Sequence, residues 1–200
     1  MAINLKDKIS QYFTWGEFLA TNTGKPNVPN AAQQANLIQL AKNLDILRSK
    51  VGRIGITSGF RSAEVNKALI AGVGGATAAE QTSATSFHEE GKAADITPMD
   101  TAATIVFTMV AGDPELRKLF GEFAIKKTTI HLSLPKPYST KDWTPMWVND
   151  ANQYIKFQAA ELAKYIKDHQ VVAAAAGIGS GIILLALGAL GVYWFVIRKK

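Results

Sequence analysis

The chain contains no cysteine in its 200 residues. Disulfides and thiolate metal ligands are excluded, so any metal centre must use nitrogen and oxygen donors. Histidine is scarce as well: the only copies are His88, His131 and His169. A strong excess of one charge is also missing. The formal net charge is +6, from 22 Lys and Arg against 16 Asp and Glu. Arg198, Lys199 and Lys200 close the chain and carry a good part of that excess. The remainder is only mildly basic, which gives no nucleic-acid footprint and leaves a weak attraction to anionic lipid or polymer. Residues Met1 to Lys8 lack the apolar core of a signal peptide. No internal repeat is visible. The length allows one domain with a real core, plus appendages.

What is present is concentrated in one run, Ser86-Phe87-His88-Glu89-Glu90-Gly91-Lys92-Ala93-Ala94-Asp95, which reads S-x-H-x-x-G-x-A-x-D. It sets an imidazole and a carboxylate on either side of a glycine turn, leading into a short apolar stretch. Both groups suit zinc, and a catalytic zinc needs three protein ligands and one open position. A second histidine, His131, lies in the strand-like run Thr129 to Leu134. His88, Asp95 and His131 would complete a His-Asp-His set, whereas His169 has no comparable context.

This pattern resembles the zinc D-alanyl-D-alanine carboxypeptidase family, which cleaves peptides of bacterial peptidoglycan. Upstream, Ile56-Thr57-Ser58-Gly59-Phe60-Arg61-Ser62 followed by Val65-Asn66 resembles the family's strand-then-helix signature. Phe13-Thr14-Trp15-Gly16-Glu17-Phe18 resembles the entry to its N-terminal helices, and Ile130-His131-Leu132-Ser133 its last ligand strand. The resemblance covers roughly residues 10 to 135. It implies zinc held by His88, Asp95 and His131, and an arginine, Arg61, facing the substrate. Arginine binds carboxylates bidentately, so Arg61, with Ser58 beside it, is the candidate substrate-binding group. The chain departs from the family at one point. Several branches carry the catalytic acid three residues before the last histidine, and Thr128 stands there.

Glu122 is the candidate general base in its place. If Lys126-Lys127 form a two-residue turn, Glu122 faces His131 across an antiparallel pair, with Cβ atoms about 4.5–5.5 Å apart. A slip of one residue would send Glu122 to the other face. Glu89 and Glu90 are the next acids near the motif and read as solvated loop residues.

The pattern along the chain predicts an α+β domain, with N-terminal helices packed on a small antiparallel sheet that carries the zinc site. A capping box of Thr14 and Glu17 starts a short helix. Asn30 caps a longer one, which Gly52 ends. Ile54 to Thr57 reads as a strand, Ser62 caps a helix to about Ile70, and residues 71 to 86 read as a long loop. Asp100 caps a helix to about Ala111. Leu119 to Ile125 and Thr129 to Leu134 read as paired strands.

The expected organisation is a peptidase-like domain over 1–146, a juxtamembrane amphipathic helix over 147–170, a transmembrane helix over 171–197 and a basic tail over 198–200. Val171 to Ile197 contains no charged residue. As a helix it would span roughly 40 Å at about 1.5 Å per residue, against a bilayer core of about 30 Å. Tyr193 and Trp194 suit the interface, and Arg198-Lys199-Lys200 follows. Gly177-x-x-x-Gly181 offers a face for helix–helix self-association.

Together these readings predict zinc-dependent hydrolysis of peptidoglycan peptide bonds by a membrane-anchored protein, with peptidoglycan and lipid as partners. Small cysteine-free lysins of this family resemble phage products. A virion-associated lysin, in a virion membrane or in contact with virion proteins, is therefore the favoured setting. A bacterial inner-membrane enzyme with an external domain is the alternative. The competing function is a membrane-anchored binding or structural protein with a degenerate peptidase domain, for which Thr128 speaks.

Overall fold

The computed structural model describes residues 3–73, 86–135, 143–150, 153–175, 182–186 and 192–196. The N-terminal helices start where their capping chemistry places them. Helix α1 spans Trp15–Leu19, and the Glu17 carboxylate accepts from Thr14 N at 2.7 Å and Thr14 Oγ1 at 2.8 Å. Helix α2 spans Ala31–Val51. Asn30 and Gln33 exchange hydrogen bonds of 3.0 and 2.7 Å at its start, which satisfies two otherwise orphaned donors. Gly52, at φ +86°, ends it. Leu37, Leu40, Leu44 and Leu47 form its fully buried face. Ser62 caps α3 (Ala63–Ile70). Helices α4 (Ala103–Gly112) and α5 (Pro114–Arg117) follow the second strand.

Asp100 does not cap α4; Ala102 occupies that position. The Asp100 carboxylate instead accepts from Arg53 N at 2.6 Å, Arg53 Nε at 2.9 Å and Arg53 Nη2 at 2.8 Å. A charge-assisted fork to arginine outcompetes a single cap bond.

The sheet is mixed and six-stranded, larger than the small antiparallel sheet expected. Its strands are β1 (Ile54–Ser58), β2 (Ala93–Pro98), β3 (Glu122–Ile125), β4 (Ile130–Ser133), β5 (Thr144–Val148) and β6 (Tyr154–Lys156), in the order β1-β2-β4-β3-β5-β6. Only β3 and β5 pair in parallel; the other neighbours are antiparallel. Period-two alternation divides the faces. Ile96, Phe123, Ile130 and Leu132 join Leu44, Val106 and Phe107 in the core. Asp95, Ala124 and His131 occupy the opposite face.

The C-terminal third differs from expectation. Strand β5 runs across the expected boundary at residue 146, and residues 147–170 are not one helix. Trp147, Val148, Tyr154 and Ile155 favour pleated structure over helix, and they extend the sheet. Helix α6 begins at Ala159. It packs on α4, with the Phe107 ring 5.5 Å from Tyr165 and 5.6 Å from Phe157.

Residues 171–197 are not a single helix either. Helix α6 runs to Ala175, and β7 (Ile182–Ala186) pairs antiparallel with β8 (Val192–Val196). Branched and aromatic side chains favour these strands, and Gly177, Gly181, Gly188 and Gly191 lower the helix propensity of the run. Among the described residues no helix is long and apolar enough to cross a membrane. Gly177, Gly181, the basic tail and residues 74–85 of the predicted loop lie outside the described residues.

Candidate metal centre

Two of the three expected ligands sit on adjacent strands as direct partners. Asp95 of β2 is paired with His131 of β4, and Asp95 Oδ1 lies 2.9 Å from His131 Nδ1. The third, His88, comes from the turn that leads into β2. Gly91 makes that turn possible. Its φ is +68°, and a Cβ there would lie 2.6 Å from the Gln33 carbonyl oxygen. Only glycine meets both demands without strain.

The same turn is tied down on several sides. Gln33 Nε2 donates to the Glu89 carbonyl at 2.7 Å and Asn36 Nδ2 to the Glu90 carbonyl at 2.8 Å. Ser86 Oγ accepts from His88 N at 3.2 Å, which supports the turn locally. His88 Nδ1 lies 2.7 Å from the Gly59 carbonyl. A carbonyl only accepts, so Nδ1 carries the proton and Nε2 keeps its lone pair for a metal. Gly59 itself sits against α1, where a Cβ would come within 2.4 Å of the Phe18 carbonyl oxygen.

The group converges as a ligand set must. One ligand atom from each of His88, Asp95 and His131 lies within 4.8 Å of the others. All three residues are buried. His88 Nε2 is 3.8 Å from Asp95 Oδ2, too far for a hydrogen bond. Two ligands about 2.1 Å from a tetrahedral zinc stand about 3.4 Å apart, between the two separations seen here. Two imidazoles and a carboxylate, each with a nitrogen or oxygen turned inward, therefore fit zinc.

Electrostatics point the same way. Burial holds the His88 imidazole neutral, with its pKa down to about 3. Burial would raise the Asp95 pKa, but the His131 hydrogen bond and the neighbouring Lys126 charge outweigh it and hold the carboxyl well below the usual range. Burial would likewise lower His131, and hydrogen bonds to Asp95 and Glu122 raise it instead. A buried carboxylate held in its ionised form between two imidazoles suits a cation.

Around the ligands stand five further groups. Arg61 is buried, its Nη2 3.4 Å from Asp95 Oδ2 and its Nε donating to Ser58 Oγ at 3.0 Å. Ser58 is the cross-strand partner of Asp95, reached after an irregularity in β1. Glu122 Oε2 lies 3.6 Å from His131 Nε2, with one-third of the Glu122 side chain exposed. Its strand register differs from the predicted one: His131 opposes Ala124, and Ile125 opposes Ile130. The β3–β4 loop is longer than two residues, with Lys126 N donating to the Thr129 carbonyl at 2.9 Å. The slip is of two residues, so Glu122 keeps the face of His131.

Lys126 and Tyr154 complete the surroundings, and neither carries a motif that singles it out. Lys126 Nζ lies 3.5 Å from Asp95 Oδ1, and the Tyr154 ring meets His131 edge-on at 5.6 Å. The other glutamates look elsewhere: Glu89 accepts from Asn66 Nδ2 and Glu90 from Lys92 Nζ. Thr128 is exposed in the loop.

An α+β domain that closes a buried His-Asp-His group beside a glutamate defines a zinc metallopeptidase. A family model for peptidase M15 matches residues 11–133. The chain belongs to that family, and zinc is its cofactor. No curated protein and no solved structure matches the chain.

Proposed function

We propose that the protein hydrolyses peptide bonds of bacterial peptidoglycan, with Glu122 as general base. The observation that carries this reading is the Glu122 carboxylate, placed on the ligand face beside His131 within the segment matched to the M15 family. Bound zinc supplies Lewis acidity to the scissile carbonyl. Glu122 takes a proton from the attacking water and delivers it to the leaving amine. Ser58 and Arg61 form the β1 side of the substrate wall, and Arg61 also holds the Asp95 carboxylate in place.

The test is release of peptide fragments from purified peptidoglycan by the zinc-loaded protein, with and without a chelator. Zinc-dependent cleavage is expected. Thr128 favours a second reading, a peptidoglycan-binding protein with a degenerate centre. Zinc binding and peptidoglycan retention with no cleavage would select it.

We also infer that the run from Val171 to Ile197 places the enzyme at a lipid surface. Its freedom from charge, the aromatic pair Tyr193-Trp194 and the basic end support this. A virion membrane or virion component is the proposed setting, and the bacterial inner membrane the alternative. Self-association through Gly177 and Gly181 belongs to the same proposal.

A further inference from the structure

We propose that Lys126 and Tyr154 recognise a carboxylate on the peptide substrate, on the side of the centre opposite Ser58 and Arg61. This rests on the hydrolytic reading of the same site and adds its specificity. Lys126 and Lys127 are neighbours of one residue type in one loop, yet they behave differently. The Lys127 side chain is 91% exposed, whereas that of Lys126 is 21% exposed and turned onto Asp95. A lysine that gives up hydration to face a metal ligand requires an electrostatic reason.

Arg61, the other cation at the centre, is 8% exposed in its side chain, and its Nε and Nη2 are directed to Ser58 and Asp95. Lys126 is the more accessible of the two. Its ammonium has three donors and stands at ion-pair distance from Asp95, so it can meet a further acceptor. Tyr154 lies next to it. The ammonium is 5.6 Å from the tyrosine ring centroid. Tyr154 is 38% exposed, which leaves this pair on the open side of the centre. A phenol O–H beside an ammonium is a donor pair for a carboxylate.

Charge balance supports the same ligand. Arg61 and Lys126 offset Asp95 and Glu122, both histidines being neutral as ligands. Zinc then leaves the centre with its own two positive charges, which attracts an anionic substrate. Tyr154 lies beyond residues 11–133. It reaches the centre because β5 pairs with β3 and returns through β6. This part of the recognition surface comes from outside the matched segment.

The experiment uses the full-length zinc-loaded protein and soluble peptidoglycan fragments, with their carboxylates either free or amidated. Cleavage and equilibrium binding are both measured. The parent should prefer the free-carboxylate fragments. Lys126→Met should raise KM for them by about 10–100-fold, the scale of a charged hydrogen bond. The variant should still bind zinc, and the KM for amidated fragments should change far less, so that the preference between the two fragments falls whatever the effect on kcat. Lys126→Arg should restore part of the preference, and Tyr154→Phe should lose part. If the parent binds free-carboxylate fragments through Lys126 without cleaving them, the recognition stands and the hydrolytic reading fails. If Lys126→Met keeps the preference, or loses zinc in step with activity, Lys126 serves only Asp95 and the proposal is overturned. Failure of the parent to bind either fragment also overturns it.

Discussion

Glu122 and His131 share one face of the sheet without being cross-strand partners. His131 is paired with Ala124. Glu122 stands two residues back along β3, with Oε2 3.6 Å from His131 Nε2. Nδ1 of His131 donates to Asp95 in the metal-free protein; with a metal bound, the ring proton would sit on Nε2, facing Glu122, and Nδ1 would be left for the metal. One carboxylate is thus placed to orient a ligand and to move a proton.

These roles separate by substitution. Glu122→Gln can still accept from His131 Nε2–H but cannot take a proton. It should keep zinc and lose about 10²–10⁴-fold in kcat, the usual contribution of a general base. Glu122→Ala should lose at least as much and bind zinc somewhat less tightly. His131→Ala should lose both metal and activity. Rates and zinc content of the three variants decide the matter. Near-parental cleavage by Glu122→Gln would remove Glu122 as base.

Acid should destabilise the metal-free protein through His88. Its pKa is lowered from 6.5 to about 3 by burial, so the unfolded chain takes up a proton in a range where the folded chain does not. Stability from this group is fully present above about pH 6.5 and declines toward pH 3, with a slope of about 1.4 kcal/mol per pH unit. Thermal melts between pH 7 and pH 4 should show the decline, and His88→Gln should flatten it. Equal pH slopes in the two proteins would contradict the assignment. Zinc, which needs the neutral imidazole, should be released over acidic pH as well.

The ligand set was legible in the sequence because it lies in a short, ordered pattern with a local cause at each position. Ser86 supports the turn, Gly91 makes it, and Asp95 lies within the buried strand that follows. The capping boxes at Thr14 and Asn30 were legible for the same reason, since each acts within one helical turn. Long-range facts were not. The register of β3 on β4 depends on loop geometry near Lys126, and the two-residue slip escaped detection because it preserves the face. The Gly59 carbonyl that fixes the His88 tautomer is backbone and leaves no side-chain signal. Tyr154 arrives through the pairing of β5 with β3 across a large sequence separation. For residues 171–197, the uncharged run reads as one transmembrane helix, whereas its described part holds the end of α6 and the paired strands β7 and β8; apolar length alone carries no sign of that pairing.

Gly91 should tolerate no side chain. Gly91→Ala would need a left-handed φ and would press its Cβ toward the Gln33 carbonyl. The backbone strain alone costs on the order of 1–3 kcal/mol. Because Gln33 also holds the Glu89 carbonyl, any shift is transmitted to His88. The variant should melt at lower temperature and bind zinc more weakly, while circular dichroism remains that of a folded protein. Unchanged zinc affinity would show that the turn can relax without moving His88.

The C-terminal run provides the last prediction. Helix α6 contributes Leu162, Tyr165 and Ile166 to packing against the core, so the domain should need the chain to about Ala175. The residues of the metal centre described above all precede Ala175. A chain ending at Ala175 should therefore keep zinc and cleave soluble peptidoglycan fragments at the parental rate. The full chain should float with liposomes, more strongly when anionic lipid meets Arg198, Lys199 and Lys200, and the shortened chain should not. Replacing the three basic residues by glutamine should weaken flotation on anionic vesicles, and the loss should be smaller on neutral ones. The basic contribution should also fade as salt rises, because screening shortens its reach to about 8 Å at physiological ionic strength. Flotation of the shortened chain equal to that of the full chain would place the lipid contact elsewhere. A loss of zinc on shortening would instead show that the run supports the fold.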